Sequence, residues 1–405
     1  MKKQKKKKIG KPNLLLAVLL RTVLGVVYRL KYGLVIEKSE ALRELHRGQG
    51  LVIAPHTSAK DHWLVGMAVF PPVRPTFVVS EHFLAKPKLR PLLKLAHIVT
   101  KKMFCPDVGT VLNTLRAGKE GNTVILFPEG RLSLCGRTGR VTEGSGMLAK
   151  KLGLAVYVIT ANGATLTFPK WAKAARRGRI LVRTEKLLTK EEVAALTPAE
   201  IEARMQDAVT HDDFAVMQDV VYRSPRMAEG LDGILWRCPS CRREFTLHTE
   251  KNAIFCDCGM RAELDGHYRL SGTRFSSILS WYDWQCAEMD PAHECMECDA
   301  DIGSVNEKGN MDSHAGHAYI RMDAENFTFA GEVFGKPVSF SRRTESIVAF
   351  PATVATEFDI YYNNMLLYMY PTPDRRAVAK WVAYLDRVVA AARDEEIRQT
   401  AAIGS

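Results

Sequence analysis

The sequence predicts an α/β domain, a mixed sheet with flanking helices, followed by a small β module and a C-terminal antiparallel β module with a closing helix. Three observations predict it. Short apolar, β-branched runs alternate with helical stretches between residues 35 and 222. Two cysteine pairs fall between residues 234 and 272. From His317 onward β-like runs recur at short spacing until one long helical stretch, residues 375–393, ends the pattern.

The N-terminal segment, residues 1–34, is set apart by charge. Seven lysines lie in the first twelve positions, and with Arg21, Arg29 and Lys31 they give residues 1–36 ten cations and no acid. The chain carries +12 overall, so the other 369 residues hold only +2. That concentration argues against a nucleic-acid-binding body and for a basic arm at an anionic membrane surface, where each cation adds about 1 kcal/mol. Residues 13–29 follow, apolar but interrupted by Arg21. A spanning helix needs about twenty apolar residues without a central charge. The expectation is a monotopic helix lying in the interface, on the cytoplasmic face of the cell membrane, with a single spanning anchor as the alternative.

Residues 50–54, Gly-Leu-Val-Ile-Ala, predict a buried strand that stops just before His56, with a helical stretch from Trp63. His56 is followed by Asp61 in the same turn. A carboxylate can fix the ring tautomer and steady the imidazolium once the ring has taken a proton from a hydroxyl. Such a base activates the substrate oxygen directly and needs no serine nucleophile, only an acyl donor within attacking distance. About seventy residues on, Thr123-Val-Ile-Leu-Phe127 predicts a second strand, and Pro128-Glu129-Gly130-Arg131 turns the chain after it. Ligand crevices in open α/β sheets form at strand ends, so two blocks distant in sequence are expected to meet there. His62 is a competing base, but its place inside the following helix favours packing or solvation.

From about Leu34 to about Asp213 the chain resembles the glycerolipid and lysophospholipid acyltransferase family, whose hallmarks are His-x4-Asp followed by Phe-Pro-Glu-Gly. The resemblance implies His56 as base, Asp61 as its orienting partner, and Glu129 and Gly130 at the acceptor site. Arg131 is expected to contact phosphate through its planar fork, and Lys101 matches a third family block loosely. Pro55 stands where the family usually has Asn, and Arg131-Leu132-Ser133 replaces the usual Thr-Arg-Ser. That order resembles the branch that reacylates 2-acylglycerophosphoethanolamine. The implied activity is transfer of a fatty acyl chain from acyl-CoA or acyl-ACP to a lysophospholipid hydroxyl. 1-Acyl-sn-glycerol-3-phosphate is the leading acceptor, giving phosphatidic acid. The reading of another class is a non-catalytic membrane-bound scaffold.

Thr197-Pro-Ala-Glu200 is a capping box with proline at the first helical position, followed by Ile201, Met205, Ala208 and Val209 at helical spacing. It predicts the helix that closes the α/β domain, before a linker at residues 223–233. Cys238-Pro-Ser-Cys241 and Cys256-Asp-Cys258 then predict a zinc ribbon over residues 234–272, with a structural Zn2+ held by four thiolates and His248 or His267 as substitutes. So short a module buries little core and needs a metal to fold. Its basic and acidic residues are interleaved, so no stripe for nucleic acid is expected. Cys105, Cys135 and the Cys286, Cys295, Cys298 group read as incidental. Over residues 273–314, Phe275, Ile278, Leu279 and Tyr282 predict an amphipathic helix, and a polar, loop-rich stretch follows it. Residues 315–396 resemble a pleckstrin-homology or GRAM-like fold in pattern.

Overall fold

The computed structural model describes residues 9–11, 13–104 and 107–403. Residues 1–8, which hold six of the seven arm lysines, and Cys105 lie outside them. The chain divides into two compact units, one of residues 1–169 and 176–222, the other of residues 170–175 and 223–405.

The first unit opens with helix α1 (Leu14–Tyr32), strand β1 (Leu34–Ile36) and helix α2 (Glu40–Arg47). Strands β2 (Leu51–Ile53), β3 (Thr76–Ser80), β4 (Val99–Lys101), β5 (Val124–Leu126) and β6 (Val156–Asn162) then alternate with α3 (Asp61–Val69), α4 (Arg90–Leu95), α5 (Val108–Lys119) and α6 (Ser145–Leu152). A short α7 (Ala164–Thr167) leads to β7 (Ile180–Leu188), and α8 (Lys190–Ala195), α9 (Pro198–Val209) and α10 (Asp213–Val216) complete the unit.

The sheet order is β1-β7-β6-β2-β5-β3-β4. Strands β2 to β6 run parallel to one another, while β7 is antiparallel to β6 and parallel to β1. The C-terminal ends of five strands therefore share one edge, which is where both motif loops emerge.

Helices cover both faces, and this is why the strands read as unbroken apolar runs rather than alternating ones. Val52 and Ile125 face a core shared with Leu64, Val65, Tyr28 and Tyr32. Their neighbours Leu51, Ile53, Val124 and Leu126 face the opposite core, with Ala149, Ile201, Met205 and Val209. Each fully buried side chain of this kind stabilises by about 1.5–3 kcal/mol. The α9 capping box forms as expected: the Thr197 amide donates to Glu200 Oε2 at 2.7 Å and the Glu200 amide to Thr197 Oγ1 at 3.3 Å.

Helix α1 docks through Tyr28 and Tyr32, whose rings pack on Phe168 at 5.7 and 4.7 Å. Its interrupting charge is turned inward, Arg21 Nε donating to the Met67 carbonyl at 3.3 Å. Leu15, Leu19, Val23, Val26 and Leu30 are left exposed along one stripe. Among the described residues, no helix is long and apolar enough to cross a membrane.

In the second unit β8 (Leu247–Glu250), β9 (Ala253–Cys256), β10 (Arg261–Leu264) and β11 (Leu270–Ser271) form a four-stranded antiparallel sheet. Helix α11 (Ile278–Ala287) follows. Seven strands, β12 (Met296–Val305), β13 (Met311–Met322), β14 (Asn326–Val333), β15 (Lys336–Arg343), β16 (Ala352–Thr353), β17 (Glu357–Tyr362) and β18 (Met365–Thr372), make an antiparallel sheet in the order β15-β14-β13-β12-β18-β17-β16. Helix α12 (Val378–Ile403) ends the described chain.

Three expectations are corrected here. The 223–233 segment is not a solvated linker, because Met227, Ala228 and Leu231 are buried in the second unit. Helix α11 buries Ile278 of the expected stripe together with Trp281 and Gln285, and Phe275, Leu279 and Tyr282 are left half-buried. The Gln285 amide makes that face polar and satisfied, donating to the Ile234 carbonyl at 2.7 Å and accepting from the Trp236 amide at 2.9 Å. The loop-rich stretch after it holds β12 and the first four residues of β13, so the C-terminal sheet starts at Met296 and not near residue 315.

Candidate active site

His56 lies three residues beyond the end of β2, and Glu129 three beyond the end of β5, its neighbour in the sheet. The two loops grip each other through the backbone of His56. Its amide donates to Glu129 Oε1 at 2.7 Å, and its carbonyl accepts from the Ser133 amide at 2.9 Å. The second oxygen of Glu129 accepts from the Gly139 amide at 2.6 Å, which closes the loop carrying Arg131, Arg137 and Arg140 back over the turn. Both oxygens of Glu129 are thus engaged with backbone, and its carboxyl is buried. The resemblance puts Glu129 at the acceptor site; here its two oxygens join the His56 loop to the backbone at Gly139. Burial pushes its carboxyl up to about 7, against the two amides that hold it down.

Gly130 makes this turn possible. Its φ of +76° is in the left-handed region, and an added Cβ would lie 3.1 Å from the Phe104 ring. The Gly130 amide donates to the Phe127 carbonyl at 3.1 Å, and the Thr142 amide and hydroxyl both donate to Pro128, at 2.8 and 2.9 Å. Phe127 itself stacks on the His56 ring, centroids 4.3 Å apart.

His56 Nδ1 is 3.1 Å from Asp61 Oδ2. The acceptor character of the carboxylate places the proton on Nδ1 and the basic lone pair on Nε2. The same Asp61 oxygen accepts from the Ser58 amide at 2.8 Å. The His56 side chain is 22% exposed and that of Asp61 4%, so the ring can be reached from solvent while its partner cannot. Asp61 is raised well above the usual carboxylate range, first by burial and then by the charge of Asp213. Amides of Ser58 and Thr57 and the charge of His211 oppose that rise.

Of the other expected residues, Arg131 is half-buried on the loop next to Glu129, and its charge lowers the Glu129 carboxyl. Lys101 ends β4, at the same edge but three strands from β2, about 14 Å across the sheet. Burial draws its ammonium below the usual range. His62 is exposed in the first turn of α3. Sequence reasoning missed His211 and Asp213, whose charges act on Asp61 from a segment about 150 positions further along the chain.

In the second unit the sulfurs of Cys238, Cys241, Cys256 and Cys258 lie within 4.8 Å of one another. Cys238–Cys258 and Cys241–Cys256 are each 3.7 Å apart. A tetrahedron with metal–sulfur bonds of about 2.3 Å has edges of about 3.8 Å, so this donor set fits zinc. The short Cys256-Asp-Cys258 knuckle is accommodated by Gly259 at φ +92°. His248 is outside the cluster, bonded to Asp257 at 2.9 Å.

Residues 34–162, which hold strands β1 to β6 and both motif loops, match the family model described as Acyltransferase. This segment is an acyltransferase domain and the chain is an acyl-transferring enzyme, not a non-catalytic scaffold. Among solved structures, the chain is similar to the 1-acyl-sn-glycerophosphate (LPA) acyltransferase PlsC from Thermotoga maritima, at 18% identity and a TM-score of 0.39, over 48% of this chain and 92% of that one.

Proposed function

We propose that the protein is a membrane-surface O-acyltransferase acting on a lysophospholipid, with 1-acyl-sn-glycerol-3-phosphate as acceptor and phosphatidic acid as product. His56 Nε2 takes the proton of the acceptor hydroxyl as that oxygen attacks the thioester carbonyl of acyl-CoA or acyl-ACP. The carbon–sulfur bond breaks, the imidazolium returns the proton to the departing thiolate, and Asp61 holds the ring through both steps. Arg131, and Lys101 from further along the strand edge, supply the charge that an acceptor phosphate requires. 2-Acylglycerophosphoethanolamine is the second acceptor, favoured by the Glu129-Gly130-Arg131 order.

The observation that supports this reading is the pair of bonds from the loop of Glu129 and Ser133 to the His56 backbone. The exposed stripe of α1 and the ten N-terminal cations support a cytoplasmic membrane face as the working surface. Cys238, Cys241, Cys256 and Cys258 would hold a structural Zn2+, which would supply cross-linking of the ribbon and no chemistry at His56. The C-terminal sheet with α12 we read as a pleckstrin-homology or GRAM-like module.

The test is turnover of purified protein on a panel of lysolipids with either thioester, read by product mass. His56→Ala is expected to lower acyl transfer at least a hundredfold while vesicle binding and melting temperature stay in place. Retained turnover in that variant removes His56 from the chemistry.

A further inference from the structure

Behind the His56–Asp61 pair lies a second histidine–carboxylate pair. His211 Nε2 is 2.7 Å from Asp213 Oδ1, and the two side chains are 11% and 1% exposed. Asp213 is anchored on the turn after β6: its Oδ1 accepts from the Gly163 amide at 2.8 Å and its Oδ2 from the Thr165 amide at 2.9 Å. The Thr165 hydroxyl donates to the Thr57 hydroxyl at 2.7 Å. The amides of Thr57 and Ser58 both act on Asp61. A continuous run of polar contacts therefore joins the two pairs, through residues that are almost entirely buried.

This arrangement raises an electrostatic problem. Asp61 must be ionised to orient His56 and steady its imidazolium, yet it shares a buried region with Asp213 and with Glu129. Like charges in one low-dielectric site cannot all be ionised without a cation among them. His211 faces Asp213, Asp212 and Asp61; Asp61 faces Asp213, His211 and the His56 ring; Arg131 acts on Glu129. Burial draws His211 down, but the hydrogen bond and charge of Asp213 outweigh it and leave the ring above its ordinary value.

We infer that His211 is a positioning residue which, as an imidazolium held by Asp213, keeps Asp61 ionised beneath the catalytic base. This rests on His56 being that base. A purely structural part for the pair, fixing the turn after β6, makes a different prediction. It would lower stability and scale the rate equally at every pH.

The experiment is the pH profile of kcat/KM for the full chain, with acyl-CoA and lysophosphatidate in mixed micelles. Wild type, His211→Gln and His211→Lys are compared, and His56→Ala is run beside them. Glutamine keeps a donor to Asp213 but no charge. Its acid limb is expected to move up by about one pH unit, with rate loss greatest at low pH. Lysine, which keeps the cation, is expected to hold the limb at the wild-type position. A glutamine profile that is lowered but not displaced overturns the inference. If His56→Ala retains turnover, the base assignment has failed instead, whatever the His211 variants do. Should the glutamine variant not fold, histidine-labelled NMR of the wild type decides: a His211 ring that is neutral at pH 7 overturns the proposal.

Discussion

The loop around His56 and the cysteine cluster solve the same problem, fixing a turn at the end of a strand, with opposite materials. The first is held by buried carboxylates: Glu129 on two amides, Asp61 on amides and a ring, Asp213 on two more amides. The second gathers four sulfurs within 4.8 Å of one another, two of the pairs 3.7 Å apart. Carboxylates leave a turn responsive to protons, as the proposed proton transfer at His56 would require. Thiolates around a metal would leave such a turn indifferent to protons. Around the cysteine cluster the second unit uses cations structurally too. Arg376 donates to the carbonyls of Phe245 and Leu247, each at 2.7 Å, and Lys380 pairs with Glu244 at 2.6 Å.

Metal removal should divide the two regions most sharply. Structural zinc contributes about 10–16 kcal/mol to small sites of this kind, so a strong chelator is expected to unfold the ribbon with little direct effect on the acyl-transfer step. Elemental analysis should find one zinc per chain. Less than that, or a melting curve indifferent to chelation, breaks the comparison on its metal side.

The proton side can be broken at Glu129. Because its folded pKa is raised, from 4.5 to about 7, the folded state holds the proton more tightly than the unfolded chain. Its contribution is fully present below about pH 4.5 and is lost as pH rises through 7, on the order of 3 kcal/mol. Glu129→Gln should abolish that slope. It also turns an amide NH2 toward one of the two backbone donors, at a cost of about 1–3 kcal/mol. Denaturant unfolding of both forms at pH 5 and 7.5 measures the difference. A wild-type protein that gains stability over that interval relative to the variant contradicts the assignment.

How far the sequence alone reaches differs between the same regions. His56, Asp61 and the Glu129 turn are legible because local spacing and strand-end turns carry them. The four cysteines are legible for the same reason. His211 is not: it stands 155 positions from His56, in no motif, and is linked to Asp61 only because β6, beside β2, carries the turn that holds Asp213. The role of Glu129 was half legible, since the motif says that it matters and only geometry says that it bonds backbone.

Strand β12 misleads for another reason. Glu297, Asp299 and Asp301 give it a polar look, but they alternate with buried Met296, Ala300 and Ile302, the period of a strand with one wet face. In α11 the misplaced stripe comes from Gln285, a buried polar residue that a hydrophobicity pattern scores as solvent-facing.

The smallest expected effect separates stability from chemistry within the first unit. Thr197 caps α9, whose Ile201, Met205 and Val209 are buried against the sheet face opposite α1. Thr197→Ala removes the hydroxyl that accepts from the Glu200 amide, and losing such a cap costs about 1 kcal/mol. The helix itself remains, since the Glu200 carboxylate still accepts from the backbone amide of residue 197 and the buried face is untouched. Thermal unfolding should therefore move down by a few degrees, while kcat/KM and the position of its acid limb stay where they are. That outcome gives the His211 variants their reference, because it fixes what a loss of stability alone does to the profile. A displaced limb in the Thr197 variant would mean that the site feels the general looseness of the domain, and the charge argument for His211 would lose its force.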